Sequence, residues 1–549
     1  MRGRRLEWFS TIVVVAIAAY YWLHYFNRST NLLDEGSTAA QALRIINGDL
    51  IYRDFFTVVT PGSYYTVAWL FQLFGTDLMV LRWAALVTGL AVLLITLTVA
   101  RRVMVWPFAA AAGLLTTVWG WFLVTPNFYS LEAALLSLTA LACYVYGAPS
   151  WRWMIAAGIV TGMTAMVKQN VGAYTAAGLF ITIWGSRAFD DRADWRGRAK
   201  MSGQLILGIT VVVMPTLLWL VTAGAGSYLY ESWVYYPLIK YTERFALPYP
   251  DFFPLAGNDP FDLWIKLVIY LPVAVYPLAL VAIVVLAWRF QRHRDRAAKH
   301  EGHALMAICA VGILTLLQAW PRADVPHILF GLQPTFIVFA YLLFCGWRAL
   351  RMIPGPRAVI MTIATVMAIA PAAMLLWRGY QRTDWEYQNY IVAVRTERAR
   401  GIFTGSLEAQ RIDVVTNYLR EHTAAGDPVF VVPWASGFNF LADRSNPTRT
   451  DFMLFEDPEA YPCLLSRLDA RPPTYVVYGY TWDVDGKHFR DYAAPIDRYI
   501  RSRYAIEFAT DGYEIWKRLD QAPPAAIAYP EACRPRRFRL RDLVGASLN

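Results

Sequence analysis

Over the first two thirds of this chain the hydrophobic positions do not alternate with polar ones; they come in unbroken runs. A helix needs ~20 mostly apolar residues to cross ~30 Å of hydrocarbon, with every backbone polar group bonded inside the helix. Runs of that size predict membrane spans near 8–26, 77–100, 105–123, 128–147, 151–168, 170–186, 203–223, 263–288, 304–320, 327–348 and 358–377. Eleven crossings put the two termini on opposite sides. The runs 151–168 and 170–186 are short and nearly continuous, so the count is eleven give or take one. Residues 2–23 share the basic start and apolar middle of a cleaved signal peptide. No small-x-small site precedes a polar mature start there, and the run continues through Tyr20, Tyr21 and Trp22, so it reads as the first span.

Past Trp377 the pattern changes. Pro428–Pro433 and Thr474–Tyr478 read as short buried strands, Ser406–His422 as an amphipathic helix, and Tyr513–Lys517 as a last strand, ahead of a basic tail over Arg534–Arg541. Such alternation predicts a small α/β domain over 378–549, after a membrane domain over 1–377. Charge follows the same division. Residues 378–549 carry 23 basic and 23 acidic side chains, so the whole net charge of +10 belongs to the membrane part. With 57% hydrophobic and 17% charged residues against an ordinary ~25% charged, a soluble enzyme is excluded. The basic residues sit in short loops between apolar runs, which encodes orientation rather than nucleic-acid binding.

With the N-terminus cytoplasmic, 19 basic residues fall in inner loops and 7 in outer ones (Arg28, Arg44, Arg53, Lys168, Lys240, Arg244 and Arg322). The positive-inside rule therefore predicts a cell-membrane protein with an extracytoplasmic C-terminal domain. Two outer loops are long, 27–76 and 224–262, and long loops in a compact body carry function or elements of their own. Thr38–Asn47 and Gly62–Phe74 are amphipathic and too short to span, predicting juxtamembrane helices along the outer interface.

The candidate chemistry concentrates in the first of these loops. Asn31-Leu32-Leu33-Asp34-Glu35-Gly36 precedes Gly48-Asp49-Leu50-Ile51-Tyr52-Arg53-Asp54-Phe55-Phe56 and Thr60-Pro61-Gly62-Ser63-Tyr64-Tyr65. Adjacent carboxylates at a span end disfavour each other's ionisation, which suits a general base or a hard cation. Taken alone, the pair favours a plainer role, Asp34 or Glu35 capping a helix that starts near Ser37. Asp54 is a further candidate for substrate contact.

An acidic pair after the first span, Gly-x-x-x-Tyr-x-Asp-Phe (Gly48–Phe55), Pro61 followed by aromatics, and Leu73-Phe74-Gly75 before an Arg-bearing second span form an ordered set. This set resembles the GT-C membrane glycosyltransferases, most closely the protein O-mannosyltransferase and lipid A aminoarabinose transferase branch (family 39, RgtA/B/C/D-like). Residues 31–102 carry the resemblance best, and the layout extends to about 377. The resemblance implies a GT-C fold and a catalytic carboxylate at Asp34 with Glu35 beside it. It also implies a second acid at the outer start of the fourth span, here Glu132, where many relatives carry Asp. A divalent cation such as Mg or Mn, held by Glu35 or Glu132, fits the same pattern.

Read from the residues alone, Lys168 at the break between the two short runs and the tract Trp320-Pro321-Arg322-Ala323-Asp324-Val325-Pro326-His327 place positive charge against the orientation rule. Cations at that depth suit a lipid phosphate, which Arg grips bidentately. The plainer alternatives are a neighbouring acid for Lys168, a turn ion pair between Arg322 and Asp324, and His327 satisfying a helix end. Tyr235, in the aromatic loop 228–237, is placed to stack on a sugar or to sit in the interfacial belt. Cys143, Cys309 and Cys345 read as packing residues, and a disulfide between Cys463 and Cys533 is permitted in an oxidising compartment but not required. No zinc spacing, P-loop or dinucleotide fingerprint occurs.

The expected function is transfer of a sugar from a polyprenyl-phosphate donor to a glycan, lipid or protein acceptor on the extracytoplasmic face, with inversion. Asp34 would act as base, and Lys168, Arg322 and His327 would hold the departing phosphate. The alternative is a polytopic transporter or lipid-sugar flippase, for which internal repeats in matching halves would be expected and none is found.

Overall fold

In the computed structural model, residues 2–120, 128–189, 194–255, 259–353, 356–481, 483–520 and 533 are described. Each apolar run forms a helix. They are α1 (Arg2–Tyr25), α4 (Leu78–Ala100), α5 (Trp106–Trp119), α6 (Phe128–Gly147), α7 (Trp151–Val167), α8 (Gln169–Gly185), α9 (Trp195–Thr222), α10 (Asp262–His293), α11 (Arg296–Leu316), α12 (Gln333–Leu350) and α13 (Arg357–Asn389). Among the described residues, eight helices are long and apolar enough to cross a membrane. The other three, α5, α7 and α8, have 14, 17 and 17 residues, and residues 121–123 of the expected third span lie outside the described ones.

The two juxtamembrane helices are α2 (Asp34–Ile46) and α3 (Gly62–Phe74). Helix α2 starts three residues before the expected Ser37. Asn31, not Asp34 or Glu35, prepares its start: the Asn31 Oδ1 accepts from the backbone N–H groups of Leu33 and Asp34 at 3.0 and 2.8 Å, an Asx turn that competes well at helix starts. Helix α13, which holds the last of the long apolar runs, continues past Trp377 to Asn389.

The chain divides into two compact units. One comprises Met1–Phe26, Ala84–Thr216 and Ala246–Trp385; the other comprises Asn27–Trp83, Leu217–Phe245 and Glu386–Asn549. Inside the first, close helix contact is bought with small residues, as lipid-embedded helices require. A Cβ on Gly158 of α7 would fall 2.2 Å from the Leu205 carbonyl oxygen of α9, so only glycine fits.

The second unit unites the long loop 27–76 and the second long loop up to Phe245 with the polar C-terminal region. Its sheet has strands β1 (Val429–Val432), β2 (Tyr475–Gly479), β3 (Tyr504–Thr510) and β4 (Tyr513–Arg518) in the order β1-β2-β4-β3, with β1 and β2 parallel and the remaining pairs antiparallel. Strand β3 is an edge strand with a register shift between Ile506 and Phe508, which blurs the alternation that would have marked it in the sequence. Helix α14 (Ser406–His422) packs beside it, and Cys463 is bonded to Cys533. The tail 534–541 lies outside the described residues.

Candidate active site

The acidic pair opens α2, and a single residue step separates the fates of its members, because successive side chains point ~100° apart. Glu35 is 3% exposed and Asp34 is exposed. Both Glu35 oxygens accept from Arg82 of α4, Oε1 from Nε at 2.5 Å and Oε2 from Nη2 at 2.6 Å. Arg82 is itself 2% exposed and also donates to the carbonyls of Arg28 (3.1 Å) and Ser29 (3.0 Å). Burial pushes the Glu35 carboxyl up and the bidentate guanidinium opposes it. Asp34 accepts from the Asn31 amide at 3.1 Å at the positive end of the helix.

The far side of α2 is held by the C-terminal region. Ser37 Oγ and Ser436 Oγ are 2.8 Å apart, Gln41 Nε2 donates to Asp451 Oδ2 at 2.8 Å, and Arg44 Nη1 donates to the Thr448 carbonyl at 2.9 Å. Asp54 turns out to be occupied by the loop itself. It accepts from Leu50 N at 2.7 Å and from Arg53 Nη2 at 2.7 Å, and although burial raises its carboxyl, these donors hold it below the usual range.

In the other unit, Lys168 occupies the non-helical break between α7 and α8, where its backbone leaves the helical region. Its ammonium donates to Ser130 Oγ of α6 at 3.0 Å and to Gln318 Oε1 at 3.2 Å, and lies 5.6 Å from the Tyr129 ring centre. Among the described residues no carboxylate comes within ion-pair distance of it. Arg322 Nε donates to Asp324 Oδ2 at 2.6 Å, while Asp324 Oδ1 caps the short helix Val325–Leu329 through His327 N at 3.1 Å and pairs with His327 Nδ1 at 2.5 Å. Burial raises the Asp324 carboxyl, but His327 and Arg322 hold it below its ordinary range. Arg322 and His327 are thus set by one carboxylate. His327, expected at the start of a span, lies outside it, because the chain turns at Gly331 and α12 begins at Gln333 with Pro334 in its first turn.

Glu132 is half-buried on α6, two residues after Ser130. Tyr235 is buried in a π-helical stretch, Glu231–Lys240, and faces Tyr230 with ring centres 6.3 Å apart. Glu35 is not free to hold a divalent cation, because both its oxygens are committed to Arg82; among the described residues no three His, Cys, Asp or Glu side chains come together. Ser130 and Gln318 are partners that nothing in the sequence singles out, and Arg82, which the sequence marks only as the arginine of the second span, is not matched to Glu35 there. An arginine inside an apolar run is the signal that could have exposed that pairing; Ser130 and Gln318, neutral and common, carry none.

No family model and no curated protein matches the sequence. Solved structures do. The oligosaccharyltransferase AglB from Archaeoglobus fulgidus, in complex with an inhibitory peptide and a dolichol-phosphate, superposes with a TM-score of 0.56 at 14% identity, over 94% of this chain and 75% of that one. ArnT from Cupriavidus metallidurans bound to undecaprenyl phosphate gives a TM-score of 0.52 at 14% identity, over 94% and 99%. The Archaeoglobus fulgidus oligosaccharyltransferase complex with Zn and sulfate gives 0.53 at 13% identity, over 92% and 73%. The chain therefore shares the fold of these solved structures, the GT-C fold, with a small strand-containing C-terminal region.

Proposed function

We propose that this chain is an integral membrane glycosyltransferase that moves a sugar from a polyprenyl-phosphate carrier to an acceptor hydroxyl on the extracytoplasmic face. The observation that carries the reading is Lys168: an ammonium held by two neutral oxygens at a helix break, in a fold shared with an enzyme solved with undecaprenyl phosphate. Its hydrogen-bond partners are neutral, and the carboxylate whose charge reaches it, Asp324, is already shared by Arg322 and His327, an arrangement that suits a phosphate. Arg322 and His327, fixed by Asp324, add positive charge and donors from the neighbouring turn.

In this reading the acceptor oxygen bonds to the anomeric carbon as the bond from that carbon to the phosphate oxygen breaks. Asp34 takes the hydroxyl proton, and the electron pair leaves on the lipid phosphate, with inversion at the sugar. Lys168, Arg322 and His327 stabilise the charge that grows on that phosphate. Glu35 serves by holding Arg82, and so the start of α2, rather than by touching the reacting atoms. The excess of basic residues in the inner loops and the Cys463–Cys533 disulfide, which belongs in an oxidising compartment, both support an outer C-terminal region.

The test uses purified protein with a panel of polyprenyl-phosphate hexoses and pentoses, following release of polyprenyl phosphate. Asp34→Asn should lower turnover by about 10²–10⁴-fold, the usual worth of a positioned base, with affinity for undecaprenyl phosphate unchanged. Folded Asp34→Asn protein with unchanged transfer would reject the assignment. Movement of intact lipid-sugar without cleavage would favour a flippase.

A further inference from the structure

The polar segment Ser436–Asp451 lies some 400 residues from α2 in sequence, yet it grips that helix along one face. Ser37, Gln41 and Arg44 follow the i, i+4, i+7 spacing that places side chains on a single side of a helix, and each meets this segment: Ser436, Asp451 and the Thr448 carbonyl. At the first turn the two backbones touch. A Cβ on Gly36 would fall 2.7 Å from the Gly437 Cα, and a Cβ on Gly437 would fall 3.0 Å from the Leu32 carbonyl oxygen and 3.2 Å from the Gly36 Cα. The Gly437 N–H donates to that Leu32 carbonyl at 3.3 Å.

Asp451 is a buried carboxylate whose hydrogen-bond partners are amides, Gln41 Nε2 at 2.8 Å and Asn446 Nδ2 at 2.7 Å. No arginine or lysine pairs with it among the described residues. Burying a carboxylate without a cation is costly, and a domain that merely covered the loop would have no need of it. It fixes the rotation of α2, and so where Asp34 points.

We propose that Gly437 and Asp451 are positioning residues for sugar transfer, setting Asp34 through the Gly36–Gly437 contact and the Gln41–Asp451 hydrogen bond. This rests on Asp34 being the base. Because a displacement of about 1 Å at a reacting group can cost ~100-fold in rate, a small push on α2 should act on turnover and spare donor affinity.

The experiment uses the full chain in nanodiscs, with turnover of whichever lipid-phosphate sugar is active and binding of undecaprenyl phosphate as the separate probe. Gly437→Ala should lower kcat at least about tenfold, with the undecaprenyl phosphate Kd within about twofold of the parent. Gln41→Glu alone sets two buried carboxylates against each other, and Asp451→Asn alone weakens the bond; each should lose kcat. The exchange of both, Gln41→Glu with Asp451→Asn, restores a donor facing an acceptor and should recover most of it. Unchanged kcat in Gly437→Ala and in both single variants, or additive loss in the exchanged pair, would overturn the proposal. Should Gly437→Ala not assemble, the exchange decides on its own. If Asp34→Asn retains activity, it is the base assignment that fails, whatever these variants do.

Discussion

Arg82 and Glu35 are nearly inaccessible, and each satisfies the other through two parallel hydrogen bonds. Desolvating such a pair consumes much of its attraction, whereas removing one partner leaves an uncompensated charge in a dry site, typically costing about 3–5 kcal/mol. Arg82→Met or Glu35→Leu alone should therefore lower the thermal unfolding midpoint in detergent sharply. The double replacement should lose less than either, which a double-mutant cycle reads directly. A purely additive cycle would show that the pair does not hold the start of α2. The acidic pair was visible in the sequence as a candidate, but its division of labour was not. Adjacency says that two carboxylates are close; only the helix phase says that one faces Arg82 and the other does not. The partners of Asp54 were hidden for a related reason, since a loop that closes on its own backbone engages a carboxylate without leaving a mark in composition.

The membrane helices were legible because hydrocarbon thickness and backbone satisfaction leave few ways to build a span; every apolar run became a helix, and eight of these are long and apolar enough to cross a membrane. Their ends were not. Helix α11 begins at Arg296, eight residues before the apolar run expected from 304, because Asp295 accepts from the N–H groups of Ala297 and Ala298 and starts it among polar residues. A hydropathy window cannot see turns that lie in the headgroup region. The break at Lys168 is the element with the sharpest consequence. Hydrogen bonds to charged groups are worth about 1.5–3 kcal/mol, so Lys168→Met should weaken undecaprenyl phosphate binding by roughly 10–100-fold, measured by titration in nanodiscs. Gln318→Leu, which removes a neutral partner of the ammonium and no charge, should weaken it less. Equal affinity in Lys168→Met and the parent would remove Lys168 from the phosphate site.

The change of composition near Trp377 marks where the polar region begins, but composition cannot say what that region folds against. Its partners are the two long loops between helices. The Phe71 ring of α3 stacks on Phe440 with centres 5.5 Å apart, Arg449 donates to the Tyr52 carbonyl at 2.8 Å and pairs with Glu231 at 3.2 Å, and Leu33, Tyr241 and Phe245 pack with Phe452 and Leu454. Arg244 reaches the carbonyls of Leu454 and Glu456 at 3.0 and 2.5 Å. Residues 386–549 expressed alone would expose Phe440, Phe452 and Leu454, buried side chains each worth about 1.5–3 kcal/mol when removed from water. They would also leave Asp451 and Arg449 without the partners that Gln41, Tyr52 and Glu231 supply. Folded domains keep net stabilities of only about 5–15 kcal/mol, so losses of this size decide the outcome. The isolated fragment should bind a hydrophobic dye and unfold over a broad, weakly cooperative range by circular dichroism, whereas the full chain should show one cooperative transition for this unit. A sharp transition with no dye binding in the fragment would mean that the polar region is self-sufficient, and that its grip on α2 is docking between finished domains rather than one shared core.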